Sequence, residues 1–222
     1  MPGYFPANAF HHLILHMNPI NYPRDKSALV LVDVLNDFLA EDGKLHEQIK
    51  PMVDKMDLKA NLERLLAGTR SAGIPVVYAP HGLDASTFTD FPYVLPRMQW
   101  GKANQVFWKG SKGADFYDPL RPLEGEFIAQ RHHLYNAFIN TDLDVHLRSK
   151  GIEKLVFAGL TSQTCVEGTG RYALEAGYHV TFLTDGVAEF TEKAQEAAIE
   201  ISYPAFGHEV LTISAFLEAL EQ

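Results

Sequence analysis

Apolar residues in this chain fall into short unbroken runs set between segments with helical spacing. SALVLVDVLNDF (27–38) is apolar from Ala28 to Val34 except at Asp33. IPVVYAP (74–80), EFIAQR (126–131), KLVFAGL (154–160), YHVTFLTDG (178–186) and HEVLT (208–212) repeat the form. Runs of this kind fit strands covered on both faces, as in parallel sheets. Between them, LKANLERLLAGTRSAG places Leu58, Leu62, Leu65 and Leu66 on one helical face, with Gly73 positioned to close the helix. TDLDVHLRSKG (141–151), TCVEGTGRYALEAG (164–177) and TEKAQEAAIEISYPAFG (191–207, ending near Pro204) are further predicted helices, and SAFLEALE (214–221) is a last one capped by Ser214. About six strands interleaved with helices predict a three-layer α/β/α domain with a mostly parallel, Rossmann-like sheet.

Two stretches escape this alternation. Residues 1–26 are rich in Pro, Asn and aromatics and predict an N-terminal arm; its His11, His12 and His16 lack acidic or thiol companions, so packing explains them better than metal. Residues 81–125 form a long aromatic, Pro and Gly insert within an otherwise single domain spanning 27–222. A connection of that length is expected to form a pocket wall or a subunit contact.

Composition narrows the function. A net charge of −9 and a pI near 5.5, without a basic cluster, argue against nucleic-acid binding. No run reaches transmembrane length and no signal-peptide pattern opens the chain, so no membrane partner is expected. One cysteine among 222 residues cannot form an internal disulfide, which fits a reducing, cytoplasmic compartment.

Ligands of open parallel sheets sit beyond the carboxyl ends of the strands. Asp33 ends the first run, His81 follows the second, His132 follows the third, and the LTSQTC loop follows the fourth. A carboxylate within an apolar strand must be paired, hydrogen-bonded or used; capping a loop is its bland alternative, for which Asp37 is the better candidate. Cys165 falls where the following helix should begin, and a helix N-terminus favours the thiolate and lowers its pKa. The spacing alone leaves a nucleophile and a packed cysteine equally open. Gly168 and Gly170 inside that helix are expected to serve close packing.

VDVLNDF, RHHLYNAFINTDLDVHL and GIEKLVFAGLTSQTCVEGTGRYALEAGYHVTFLTDGVAEF resemble, in order and spacing, the isochorismatase-like cysteine hydrolases. The resemblance runs from about Ser27 to the C-terminus. It implies Asp33 as catalytic acid/base and Cys165 as nucleophile. It also implies a cis Leu160–Thr161 bond that aims the Thr161 and Cys165 N–H groups at an oxyanion. The position of the family's lysine holds His132, as in a branch with histidine there; an imidazolium could stabilise the thiolate and assist proton transfer. Lys109 and Lys112 are reserve cations.

The Asp-x-His and further histidines of nicotinamidases are missing around HGLDASTFTDF, since His81 and Asp84 cannot supply that set; no metal and no cofactor are expected. Phe38, His81, Trp108, Tyr135 and Asn136 are the candidate substrate contacts, with Trp100, Phe107 and Phe138 as further aromatics. The implied activity is cysteine-dependent cleavage of a C–N bond in a small amide, carbamoyl or ureido compound by a homo-oligomer. Vinyl-ether hydrolysis of the isochorismatase kind and a non-catalytic binding or assembly role are the alternatives.

Overall fold

The computed structural model describes residues 21–221. His11, His12 and His16 and most of the expected arm lie outside them. The end of the arm rests on the domain: Tyr22 is buried edge-on against Phe216, and its hydroxyl hydrogen-bonds to Thr181 Oγ1 at 3.0 Å.

Six parallel strands form one sheet: β1 (Ser27–Val32), β2 (Val76–Ala79), β3 (Phe127–Ile128), β4 (Lys154–Leu160), β5 (His179–Ala188) and β6 (Glu209–Leu211), in the order β3-β2-β1-β4-β5-β6. β1 is central and wholly buried, which is why its sequence has no polar face. Its alternate residues feed two cores. Leu29 and Leu31 join α1 (Asn36–Leu39), α2 (His46–Lys55), α3 (Leu58–Ser71) and α9 (Ile213–Leu220) on one side, through Phe38, Ile49, Leu62, Leu65 and Phe216. Ala28, Val30 and Val32 join α5 (Leu143–Ser149), α6 (Glu167–Glu175) and α8 (Tyr203–Phe206) on the other, through Leu143, Leu147, Ala173 and Tyr203. Each fully buried leucine of this kind contributes about 1.5–3 kcal/mol relative to exposure.

Several boundaries differ from the sequence reading. β1 stops at Val32 because Asp33 takes a left-handed backbone (φ 52°) and turns the chain out of the sheet. The expected strand at 126–131 shrinks to two residues at the sheet edge. The helix expected to end near Pro204 runs from α7 (Glu192–Ala197) through a π-helical turn (Ala198–Ser202) into α8, which ends at Phe206; Pro204, which has no N–H to donate, lies just past the π-helical turn. The last helix is capped by Thr212, whose hydroxyl accepts from Ala215 N–H, rather than by Ser214. The 81–125 insert is not structureless: it holds α4 (Pro96–Ala103) and two short 3₁₀ turns.

Two glycines set how closely elements approach. Gly159, with φ 118°, lies so near β1 that a Cβ would sit 2.0 Å from the Val32 carbonyl oxygen, beside an irregularity in the β4–β5 ladder. A Cβ on Gly168 would sit 2.6 Å from the Tyr135 carbonyl oxygen, the close backbone approach expected there, whereas Gly170 makes room for the Phe182 ring. Gly159→Ala combines a disfavoured φ with overpacking and is expected to destabilise the fold by roughly 2–4 kcal/mol. Equilibrium urea denaturation checks this.

Candidate active site

The strand order reverses between β1 and β4, and the crevice outside that switch point is where such sheets bind ligands. β1 delivers Asp33 there and β4 delivers Thr161 to Cys165. Beyond β2 and β3 the two chains stay paired through a bridge between His81 and His132, with His132 N–H donating to Pro80 and Gly82 N–H donating to the His132 carbonyl.

These groups meet in a buried cluster. Asp33 and His132 are each 1% exposed and Cys165 is 6% exposed. One side-chain ligand atom from each of the three lies within 4.8 Å of the other two. Asp33 Oδ1 accepts from His132 Nε2 at 3.0 Å and from the His81 backbone N–H at 2.6 Å, while Oδ2 is buried without a hydrogen-bond partner. His132 Nδ1 donates to the Leu134 carbonyl at 2.8 Å. Both imidazole nitrogens therefore face acceptors, and the ring can hold two protons.

The electrostatics follow from these neighbours. Burial alone raises the Asp33 carboxyl, but the charge and hydrogen bond of His132 outweigh it and hold the group below the ordinary carboxylate value. Burial works against the His132 imidazolium, and the Asp33 charge overrides it and raises the imidazole above its usual value. His81, buried and next to that cation, is pushed down to about 3 and is neutral. Burial and the Asp33 carboxylate push the Cys165 thiol well up. The lowered thiol pKa expected from a helix start is therefore corrected. Cys165 sits in a π-helical turn (Ser162–Val166) ahead of α6, where burial, reinforced by the neighbouring Asp33 carboxylate, outweighs the backbone dipoles.

The Leu160–Thr161 peptide is cis. Thr161 is buried, and the Cys165 sulfur lies 3.9 Å from Thr164 Oγ1 and 4.0 Å from the Leu134 carbonyl oxygen. The loop is held from below: Ser162 Oγ donates to Gln195 Oε1 at 2.8 Å, Tyr203 Oη donates to the Ser162 carbonyl at 3.1 Å, and Glu189 accepts from Gln163 N–H at 3.0 Å.

Asp33, Thr161 and Cys165 line a cavity of about 340 Å³ together with Phe38, His81 and Tyr135. Two expected contacts are not there. Trp108 lines a separate concavity with Phe88 and Val94: it bridges to Leu83, and its neighbour Phe107 takes the side facing the site. Asn136 is spent on a turn, its Oδ1 accepting from Phe138 N–H at 2.8 Å. Phe138 is buried and stacks on the exposed Tyr172, away from the cavity. Trp100 and Phe107 do line the cavity.

Gln48, Leu83, Arg97, Met98 and Phe190 also line it and were not singled out from the sequence. Phe190 alone had a signal, its place just past the end of β5.

The reserve cations are elsewhere: Lys112 pairs with Asp42 on the surface, and Lys109 is exposed beside a different concavity. Asp84 caps a surface turn by accepting from Ser86 and Thr87 N–H groups. Among the described residues, Asp33, His132 and Cys165 are the cluster whose reach would suit a cation. As arranged, however, both His132 ring nitrogens already face protein acceptors, Asp33 and the Leu134 carbonyl.

Isochorismatase domains match residues 27–214. The chain belongs to the isochorismatase family. This isochorismatase-family hydrolase is 30% identical over 229 residues to the ureidoacrylate amidohydrolase RutB of Pantoea ananatis, covering 97% of this chain and 91% of that protein. Its fold is similar to an isochorismatase-like hydrolase from Alkaliphilus metalliredigens (27% identity, TM-score 0.71, covering 88% and 96% of the two chains). It is also similar to the N-carbamoylsarcosine amidase of Thermoplasma acidophilum (25% identity, TM-score 0.63, covering 84% and 95%). The α/β, Rossmann-like architecture is as the sequence predicts. No helix among the described residues is long and apolar enough to cross a membrane.

The family hydrolase fixes its cavity wall to its floor through Asp37. This buried carboxylate accepts from Lys44 N–H at 3.1 Å and from Phe107 N–H at 2.5 Å, so Asp37 caps loop backbone, as expected, and in doing so clasps the insert. Asp37→Ala leaves the Phe107 donor buried and unpaired and is expected to cost about 2 kcal/mol, read from the denaturation midpoint.

Proposed function

We propose that this protein is a cysteine-dependent hydrolase that cleaves a C–N bond of an amide, carbamoyl or ureido compound through a covalent acyl-enzyme. The observation that carries the reading is the buried Asp33–His132–Cys165 cluster, of which Asp33 and Cys165 line a mostly apolar cavity. The names of two relatives, a ureidoacrylate amidohydrolase and an N-carbamoylsarcosine amidase, support it.

The thiol holds its proton at rest, so a base has to act at the moment of attack. Asp33 takes the proton from Sγ, and sulfur bonds to the carbonyl carbon. The charge that develops on the carbonyl oxygen is met by the Thr161 and Cys165 N–H groups in a site largely closed to water. The protonated Asp33 then gives its proton to the leaving nitrogen, the C–N bond breaks, and ammonia or an amine departs. Water, deprotonated by Asp33, hydrolyses the thioester and restores the thiol. His132 assists each transfer as a fixed cation: with both N–H groups engaged, it keeps Asp33 ionised rather than carrying the proton itself. A lone free thiol fits a reducing, cytoplasmic setting, and exposed Tyr93 and Leu95 fit burial in a homo-oligomer.

Incubation with an amide substrate is expected to give an acyl adduct at Cys165 by intact mass, and none in Cys165→Ser. Asp33→Asn is expected to lower kcat at least about a hundredfold. Ammonia or amine release that persists undiminished in Cys165→Ser would sink the covalent mechanism. Absence of any adduct or turnover across amides would favour vinyl-ether hydrolysis or a binding role.

The pH profile gives an independent check. Asp33 must be ionised, so activity is lost as pH falls through its lowered pKa; His132 must be protonated, so activity is lost as pH rises through its raised pKa. Removing the cation in His132→Gln leaves burial to dominate Asp33, and the acid limb is expected to move up by about one unit or more. His132→Lys is expected to keep the acid limb low and extend the alkaline side. Coincident acid limbs in wild type and His132→Gln would overturn the role given to His132.

A further inference from the structure

The catalytic cluster accounts for the cavity floor but leaves Arg97 unexplained. Arg97 lies in the first turn of α4, where a cation opposes the helix dipole. Arg64, Arg70, Arg121, Arg148 and Arg171 each pair with a carboxylate, as expected in a chain with a net charge of −9. Arg97, like Arg24 and Arg131, pairs with none among the described residues, and neither of those two lines the cavity. The Arg97 guanidinium lies 5.8 Å from the Tyr135 ring centroid, and among the described residues Arg97 is the one lysine or arginine that lines the cavity. The side chain is exposed, so it stands at the mouth while Cys165 stands at the buried floor.

Between mouth and floor the walls are apolar: Phe38, Leu83, Met98, Trp100, Phe107 and Phe190. A cavity of about 340 Å³ so lined takes a flat ring or a bulky alkyl group far better than a short polar chain. The ligand that matches all three zones has a carbonyl at the floor, an apolar segment between the walls, and a negative charge at the guanidinium. Given the hydrolase reading above, on which this rests, we infer that the substrate is an amide whose carbonyl is joined to an aromatic or bulky apolar segment ending in a carboxylate, and that Arg97 selects the carboxylate. A planar guanidinium suits a carboxylate, and an ion pair beside apolar walls is less screened than one in open water.

Three amides separate the requirements: phenylacetamide, its para-carboxylate, and the ring-free monoamide adipamate. The para-carboxylated amide is expected to have the highest kcat/KM, by about tenfold over each of the others. Arg97→Met is expected to raise KM for that amide about tenfold, with kcat little changed, and to leave phenylacetamide unaffected; Arg97→Lys recovers part of the loss. Equal effects of Arg97→Met on phenylacetamide and its para-carboxylate would overturn the role of Arg97. Adipamate matching the aromatic carboxylate would overturn the apolar segment. Calorimetric binding of the para-carboxylated amide to Cys165→Ser, with and without Arg97→Met, reads the same contact without turnover. No weakening there refutes the inference, whereas tenfold weakening in a protein whose wild type fails to cleave the amide refutes the hydrolase reading and leaves the anion contact standing.

Discussion

The site depends on one buried ion pair. An isolated carboxylate as deep as Asp33 would take up a proton, because desolvation of the charged form costs more than any single hydrogen bond returns. His132, at 3.0 Å and equally buried, reverses that balance. The pair is an expensive arrangement for stability alone, and breaking it by removing one partner leaves the other charge stranded. Its value is functional: it keeps an ionised base in a dry place beside a thiol that has not yet ionised. The Leu134 carbonyl completes the arrangement by holding the far nitrogen of the ring.

Everything around the pair can be understood as a means of placing it. The left-handed turn at Asp33 brings the carboxylate off the end of the central strand, and β4 brings the cysteine loop beside it at the point where the strand order reverses. His132 arrives from the far edge, through a chain that remains bridged to the continuation of β2. Three separate parts of the sequence thus converge because a parallel sheet points all its strand ends the same way. The clasp of Asp37 on Phe107 then fastens a wall to this floor.

The floor was legible in the sequence and the wall was not. Asp33 stood out as a charge in an apolar strand, and the strand-end positions of His132 and Cys165 placed them at the same edge before any contact was known. The error in the thiol pKa shows the limit of local reasoning. The turn around Cys165 argues for a thiolate, but burial in the folded core, reinforced by a carboxylate from another strand, decides the matter. The wall depends on non-local folding throughout. Nothing periodic in the insert indicates that Phe107 rather than Trp108 faces inward, since that choice rests on the left-handed backbone at Phe107 (φ 49°) and the bridge of Trp108 to Leu83. Arg97 and Gln48 carried no signal because exposed polar residues on helices are ordinary until the helix is seen to border a cavity.

The close approach of Gly168 to the Tyr135 backbone has a mechanical consequence. The helix behind the nucleophile and the segment bearing His132 meet main chain to main chain, with no side chain between them to yield. The two halves of the floor therefore shift together or not at all. Any widening that lets a bulky molecule in, or its fragments out, has to come from the walls, formed by the insert together with Phe38, Gln48 and Phe190.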